Sequence, residues 1–434
     1  MRLIAKPSPA LSGVAQVPGD KSCSHRALIL GAMADGETRI SGLLESDDVL
    51  ATARAVEALG ATVERTAPFL WSVRGGPWRS PAGPIDCGNS GTAARLLAGA
   101  IAGREGVAAS LIGDSSLSSR PMRRIADPLR RMGARIEGDD RLPLTIAGRA
   151  LGGIDHVNVP ASAQVKSAIL LAGLGSDAAV SVAEPVASRD HSEIMLAQFG
   201  AEIAIDEGEA GRTIALGSRR SLTGCSIHIG ADPSSAAFPL AAAAIVPGSC
   251  VQVAGMNVNP LRTGLYEVLE EMGAGLSLAN ERLQSGEIVA DIELRHAPLS
   301  PCQVSADRIP AMIDEVPALA IACAFADGES VIDGLAELRV KESDRLGAIV
   351  AGLVACGVAA IADGDSLRIF GRGSVRGGGR VTTAGDHRIA MAFLTLGLAA
   401  DQPVEVDEAG MIATSFPGFV ETMTSIAAQI EQLS

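Results

Sequence analysis

Two hydrophobic patterns alternate along the chain, and each recurs six times. The first is a helix-to-strand passage closed by Gly-Ala or a close variant of it. It reads AVEALGATVE (55–64), PLRRMGARIE (128–137), MLAQFGAEIA (195–204), VLEEMGAGLS (268–277), GLVACGVAAI (352–361) and TSIAAQIEQL (424–433). Taken at Gly60, Gly133, Gly200, Gly273, Gly357 and Ala427, the copies lie 73, 67, 73, 84 and 70 residues apart. The second pattern is an Ala/Leu-rich run opening near Arg26, Ala93, Lys166, Ser235, Val316 and His387. Several of these runs end in a Gly-containing turn and then a β-branched stretch, the pattern of a helix stop and a strand start. The chain is therefore expected to be six copies of one unit, each with two helices and about four short strands. Helices this rich in Ala and Leu bury most of their surface. The unit is longer than the roughly 20–50 residues of most solenoid repeats, which favours a closed α/β array. Chain length points to two globules of three copies, with a break near Ile229–Asp232 in the turn-rich GADPSS.

Composition narrows the class. Of 434 residues, 47% are apolar, enough for substantial cores, and none of the apolar runs approaches the ~20 residues of a membrane span. The longest, Ala236–Val246, is interrupted by Pro239. MRLIAKPSPA lacks the apolar stretch of a signal peptide, so a cytoplasmic protein without a membrane partner is expected. Seven cysteines without a CxxC pair read as reduced, mostly buried small hydrophobes, with neither a disulfide frame nor a zinc motif. A net charge of −14 argues against a nucleic-acid partner but leaves room for an anionic small molecule held by local positive charge. Only four of the 36 basic residues are lysines: Lys6, Lys21, Lys166 and Lys341. Drift toward Arg explains most of that imbalance, yet it enriches the remaining lysines where a compact, tunable ammonium is required.

The starts of the Ala/Leu-rich helices collect the chemistry. They read GDKSCSHR (19–26), CGNSGTAAR (87–95), PASAQVKS (160–167), ADPSSAAF (231–238), IDEVPA (313–318) and AGDHRIA (384–390). Helix capping accounts for Ser234 and Ser235. It does not account for Lys21, Arg26, Gln164, Lys166, His387 or Arg388; cations added to a helix N-terminus make an anion site. SLSSRPMRR (116–124) and ELRVKESDR (337–345) add charge before the other helix. Related copies put these starts at equivalent places, facing one cleft suited to a ligand with several phosphates or carboxylates. No P-loop or G-x-S-x-G is present, and the six histidines show no metal spacing. GRGSVRGGGR (371–380) reads as an exposed turn between strands.

PGDKSCSHRALILGAMADGETRISGLLESDDV, GNSGTAARL, RPM, RVKESDRL and GDHRIAM together resemble the EPSP synthase family from about Leu11 to Phe419. ASAQVKSA, AMIDEVPALA and MIATSFP are most similar to its class II branch. The resemblance implies an α/β protein of two domains, each a pseudo-threefold array of βαβαββ units, the enolpyruvyl transferase fold. One domain, 1–18 plus 232–434, would contain both termini; 19–231 would form the other, with hinges near 18–20 and 229–232. The family transfers the enolpyruvyl group of phosphoenolpyruvate to the 5-hydroxyl of shikimate 3-phosphate and releases phosphate. It needs no cofactor or metal, and a monomer is expected. Carried over by position, Lys21, Ser22, Arg26, Ser162, Ala163, Gln164, Arg189, Asp314 and Lys341 would hold shikimate 3-phosphate. Lys21, Asn89, Gly91, Arg120, Gln164, Arg345 and Arg388 would hold phosphoenolpyruvate. Asp314 would be the base at the 5-hydroxyl, opening an apolar helix as a deep carboxylate. Lys341 and Glu342 would handle the other proton, with Lys21 as a further catalytic group, while Lys166 carries no family role and reads as structural. Because these ligands fall on both sides of the hinge, shikimate 3-phosphate is expected to close the domains.

Ala163, Arg189, Glu337 and Thr414 depart from other branches, where Ser, Tyr, Asn and Lys stand. The related transferase that acts on UDP-N-acetylglucosamine would show Asn after Lys21 and a cysteine near residue 115, where this chain has GDSSLSSRP. A non-catalytic anion-binding repeat protein would not need acid and base residues in particular copies, and RNA 3′-phosphate cyclases need a more basic surface. Glyphosate competes for the phosphoenolpyruvate site in this family, where tolerant class II members have Ala at the place of Gly91. Leu96 matches tolerant members, so the two positions point in opposite directions; the direct contact at Gly91 favours sensitivity.

Overall fold

The computed structural model describes residues 1–433, which divide into two compact units. Unit 2 is Gly19–Ile229 with the hairpin tip Gln284–Glu287; unit 1 is Met1–Pro18, Gly230–Leu283 and the chain from Ile288 onward. Gly230 and Ala231 go with unit 1, where Ala231 bridges Met256. Unit 2 contains α1 (Lys21–Met33), α2 (Asp47–Ala58), α3 (Gly91–Ala102), α4 (Ser115–Ser119), α5 (Arg123–Arg131), α6 (Ala163–Gly173) and α7 (His191–Gln198). Unit 1 contains α8 (Pro233–Ile245), α9 (Gly264–Glu271), α10 (Val316–Phe325), α11 (Arg345–Ala355), α12 (His387–Gly397) and α13 (Phe419–Ser425).

Each repeat is a βαβαββ unit with its own four-stranded sheet, and six such sheets are present among the described residues. In the third copy, Ile154–Val157 runs parallel to Val180–Glu184, which pairs antiparallel with Gly211–Leu216, itself antiparallel to Ile203–Gly208. The first copy takes its opening strand from the far end of its unit, Ser226–His228 against Glu37–Ser41. In unit 1, Ser12–Val14 opens the sheet of the fourth copy, and Arg2–Lys6 lies between Val404–Val406 and Gln429–Leu433 in the sixth. The first residues of the chain thus complete two sheets of unit 1.

The recurring Gly-Ala has a stereochemical cause. Gly60, Gly133, Gly200, Gly273 and Gly357 have φ of +116, +104, +96, +98 and +85°. In each copy the next N–H bonds back to the helix, as in Ala61 to Val56 O and Ala134 to Leu129 O. This is the helix stop in which a left-handed residue satisfies the last carbonyls, and glycine adopts it without steric cost. The sixth copy makes the same Ala428-to-Met423 bond with Ala427 held at +76°.

Helices α1, α3 and α6 form the interior of unit 2, and α8, α10 and α12 that of unit 1; every residue of α8 is buried. Each unit has its own hydrophobic core. Close approach demands small residues: a Cβ added to Gly99 of α3 would stand 2.2 Å from the Ala168 carbonyl oxygen of α6. Helix α8 continues through Pro239. GRGSVRGGGR joins the strands Ser366–Arg372 and Arg380–Val381, as expected, but exposed residues there alternate with buried Gly371, Val375, Gly377 and Gly379, and Gly377 packs on the Gln402 backbone. Among the described residues no helix is long and apolar enough to cross a membrane.

Candidate active site

In unit 2 the first turns of the three inner helices meet. Asp20 caps α1 by accepting from Cys23 N at 2.8 Å, and Ser90 and Ser162 cap α3 and α6. Side chains then join the turns to one another. Arg26 Nη2 donates to Ser167 Oγ at 2.7 Å (α1 to α6), and Gln164 Nε2 donates to Thr92 Oγ1 at 2.9 Å (α6 to α3). His25 links α1 to Thr52 at 2.7 Å and to Ser90 at 3.3 Å. Burial first, then the charges of Lys21 and Arg26, hold the His25 imidazole well below its usual range, so it is neutral. Three helix N-termini converging with cations is the arrangement an anion site requires.

The sequence-derived residues of unit 2 lie on this surface. Lys21, Ser22, Asn89, Ser162, Ala163, Gln164 and Arg189 are partly exposed, whereas Gly91, Arg120 and Arg26 are buried. Lys21 Nζ is 2.5 Å from Asp48 Oδ2. Arg26 donates through Nε to Ser192 Oγ at 2.7 Å and through Nη1 to the Ser22 carbonyl at 3.0 Å, which fixes its plane. Arg120 is held by Asn89 Oδ1 at 2.8 Å and Ser116 Oγ at 3.2 Å, and Asn89 in turn donates to Asp114. Sequence reasoning named neither Asp48, Ser167 and Ser192 nor Arg95, whose Nη1 donates to Gln164 Oε1 at 2.9 Å. Arg95 was visible inside GNSGTAARL, one turn after Gly91 on the same helix face.

Beneath this surface lies a buried ion cluster. Lys166 Nζ is 2.8 Å from Glu184 Oε2 and 2.6 Å from Glu193 Oε1, with Arg212 Nε 3.0 Å from Glu184 Oε2. Burial pushes both carboxyls up; at Glu184 the opposing pull of Lys166, Ser188 and Arg212 wins and its value falls, whereas at Glu193 burial wins and its value rises. Lys166 is thus the cation at the centre of a fully buried ion cluster.

In unit 1 the helix starts also meet, around Arg345. Its side chain is 1% exposed, with Nε 2.8 Å from Asp386 Oδ2, Nη1 3.4 Å from Asp314 Oδ1 and Nη2 against Glu342. Burial alone would lower its proton affinity, but Asp386, Glu342 and Asp314 outweigh it and hold Arg345 above the usual arginine range. Lys341 Nζ lies 3.5 Å from Asp314 Oδ1, and Arg388 Nη1 donates to the Asp314 carbonyl at 2.9 Å. Asp386 caps α12 through Arg388 N and accepts from Ser343 Oγ. Three carboxylates and three cations therefore share this corner, and Asp314, Lys341 and Arg388 are partly exposed. Thr414, where other branches have Lys, is 7% exposed and lies 3.5 Å from His387 Nδ1.

Two expectations need correction. Asp314 does not open the helix: α10 begins at Val316, and the deep carboxylate is Glu315 at 1% exposure, against 17% for the Asp314 side chain. Nor do Ser234 and Ser235 cap α8. Asp232 does, accepting from Ser234 N at 2.8 Å, while Ser234 Oγ bonds Glu315 and accepts from Arg262 Nη2 at 2.9 Å. A buried arginine 28 residues along the chain needed that hydroxyl, and nothing local in ADPSSAAF signals it.

Comparison with known proteins identifies the family. The family model for EPSP synthase (3-phosphoshikimate 1-carboxyvinyltransferase) matches residues 5–423. The chain is 53% identical over 432 residues to the 3-phosphoshikimate 1-carboxyvinyltransferase of Phenylobacterium zucineum, covering 99% of this chain and 95% of the relative. It is 51% identical to that of Caulobacter vibrioides, covering 99% of both. The structure of EPSP synthase from Acinetobacter baumannii superposes with a TM-score of 0.87 at 40% identity over 99% of each chain. The enolpyruvyl transferase NikO from Streptomyces tendae shares the fold, with a TM-score of 0.79 at 18% identity over 99% of this chain and 98% of that one.

Proposed function

Because the chain belongs to the EPSP synthase family, we propose that it transfers the enolpyruvyl group of phosphoenolpyruvate to the 5-hydroxyl of shikimate 3-phosphate and releases phosphate. The observation that carries the chemistry is the Asp314 carboxylate set 3.5 Å from Lys341 Nζ and 3.4 Å from Arg345 Nη1. Addition requires a proton taken from the attacking hydroxyl and one given to the methylene carbon of phosphoenolpyruvate. Asp314 takes the first as its oxygen nucleophile bonds to the central enol carbon, and Lys341 gives the second, which makes a methyl group. Elimination returns one methyl proton to Lys341 as the carbon–oxygen bond to phosphate breaks and the double bond re-forms, and the departing phosphate takes up the proton that Asp314 gained, which restores both groups. Positioned groups of this kind contribute about 10²–10⁴-fold each to proton transfers.

The remaining candidates bind and orient. Lys21, Ser22, Arg26, Ser162, Ala163, Gln164 and Arg189 hold shikimate 3-phosphate; Asn89, Gly91, Arg120, Gln164, Arg345 and Arg388 hold phosphoenolpyruvate. Guanidinium groups suit this work because they stay charged and grip carboxylate and phosphate bidentately. Arg345, ringed by Asp314, Glu342 and Asp386, also orients the carboxylates that move protons. ASAQVKSA, with Lys166 at the centre of its ion cluster, and MIATSFP support placing the chain in the class II branch. The free cysteines support a reducing cytoplasmic setting. Phosphate release measured with both substrates tests the assignment. Release is expected only when shikimate 3-phosphate and phosphoenolpyruvate are both present; release with UDP-N-acetylglucosamine in place of the former would overturn it.

A further inference from the structure

We propose that Cys302 and Cys323 form a peroxide-sensitive site in unit 1, where the two thiols close to a reversible disulfide. Their sulfurs face each other at 3.6 Å, although the residues stand 21 apart in the chain. Cys302 immediately precedes the strand Gln303–Val304 of the fifth copy, and Cys323 stands in the last turn of α10. Both backbones are fixed. The Cys302 carbonyl accepts from Val331 N at 2.9 Å, its N–H donates to Ser330 Oγ at 3.2 Å, and the Cys323 carbonyl accepts from Ala326 N at 3.3 Å. A disulfide holds its sulfurs about 2.05 Å apart, so roughly 1.5 Å of approach remains, shared between two rotatable side chains.

Two further observations separate this pair from an ordinary packing contact. The first is asymmetry. The Cys323 S–H donates to the Cys302 sulfur, and that bond, with help from Ser330, pulls the Cys302 thiol below its usual range against the effect of burial. The same bond, and then burial, push Cys323 well up. Burial pushes Cys87, Cys225, Cys250 and Cys356 up as well, so of these six thiols only Cys302 moves toward the thiolate. The second is access. Cys302 is 8% exposed, between exposed Pro301 and Gln303, whereas Cys323 is 0% exposed. A thiolate that a small oxidant can reach, backed by a buried thiol, is the arrangement of a sensing cysteine and its resolving partner. Hydrogen peroxide is the oxidant small enough for this opening. The Cys302 thiolate attacks one peroxide oxygen and the O–O bond breaks; Cys302 becomes a sulfenic acid, and the departing hydroxide takes up the thiol proton as water. The Cys323 sulfur then attacks Cys302, the S–S bond forms, the S–O bond breaks, and the Cys323 proton leaves with that oxygen as a second water. Two thiols lose two electrons and one peroxide gains them. The bond ties together the ends of residues 302–323, the stretch that carries Asp314.

The test treats the reduced full chain with hydrogen peroxide, alkylates the remaining thiols and maps the peptides by mass spectrometry, a readout independent of the reaction proposed above. The expected product is lighter by two hydrogens, links Cys302 to Cys323, and reverts with dithiothreitol. Cys323→Ser should leave Cys302 as a sulfenic acid that dimedone captures. Cys302→Ser should give neither the disulfide nor capture at Cys323, and Cys225→Ser should behave as the wild type. Where a variant does not fold, the map of the wild type decides alone. Oxidation that takes Cys225 or Cys250 first, or that leaves Cys302 and Cys323 both open to alkylation after unfolding, would overturn the proposal.

Discussion

Replacing Lys166 by Met removes the charge from the buried cluster of unit 2 and nearly conserves volume. The Lys166 ammonium lies 2.8 Å from Glu184 and 2.6 Å from Glu193, with side-chain exposures of 0, 0 and 1%. At an effective dielectric of about 20, each contact corresponds to about 6 kcal/mol of attraction before desolvation is subtracted. Most of that offsets the cost of burying the ions, but removing one partner strands the others and costs about 3–5 kcal/mol. Arg212, 3.0 Å from Glu184 and 3.7 Å from Glu193, retains part of the compensation. The expected loss is therefore about 3 kcal/mol at neutral pH, at the lower end of that range. Acid should narrow the gap chiefly through the variant, because in the wild type the raised carboxyl of Glu193 gains stability as pH falls and opposes the loss at Glu184. In the wild type the lowered carboxyl of Glu184 contributes stability above its unfolded value and loses it as pH falls through its folded value. In the variant both stranded carboxyls gain from protonation, so its deficit shrinks as pH falls. Urea unfolding followed by circular dichroism near neutral pH and at mildly acidic pH measures both quantities. A neutral-pH loss below about 1 kcal/mol, the scale of an exposed ion pair, would refute the reasoning, as would a gap that widens with acid.

Lys341→Arg, and likewise Lys21→Arg, should lower kcat by about 10²-fold or more, because guanidinium keeps its proton where a general acid must give it up. Near-normal turnover in both variants contradicts the roles given to these lysines. In Gly91→Ala the new Cβ would stand 2.7 Å from Arg95 Nη1 and 3.3 Å from Arg120 Nη1, so it displaces Arg95 from Gln164 and narrows the anion site. Inhibition by glyphosate should weaken more than the KM for phosphoenolpyruvate rises; equal changes, or a tolerant wild type, would sink the idea. Ala427→Gly should stabilise the protein by up to about 1 kcal/mol, because only this copy places a Cβ in the left-handed helix stop. A melting temperature that stays level or falls counts against it.

The repeat was legible because its signal is steric and local. A left-handed stop is needed after every second helix, and glycine meets that need five times in six. The inner helices were legible because apolar and small residues follow their polar first turns and leave no polar face for solvent. Long-range polar pairing was not legible. Ser234 resembles a cap until Arg262 and Glu315 claim its hydroxyl, and Asp314 resembles a helix start until Glu315 proves to be the buried one. Arg95 stood inside a recognised motif, but its hydrogen bond to Gln164 joins the second repeat to the third and leaves no mark on local spacing. The same holds for Lys166: its composition made it conspicuous, while its partners Glu184 and Glu193 could be found only through the fold.

The central claim is that enolpyruvyl transfer proceeds by addition and elimination, with protons moved by the Asp314–Lys341 pair. Mass spectrometry of the product formed in D₂O tests it most directly. Addition converts the methylene of phosphoenolpyruvate into a methyl group carrying one solvent hydrogen, and elimination removes one of three. Deuterium is expected in the vinylic methylene of the transferred group, dependent on shikimate 3-phosphate, and labelled product should form about 10²-fold or more slowly in Lys341→Arg. Phosphate release with a product free of deuterium would contradict it.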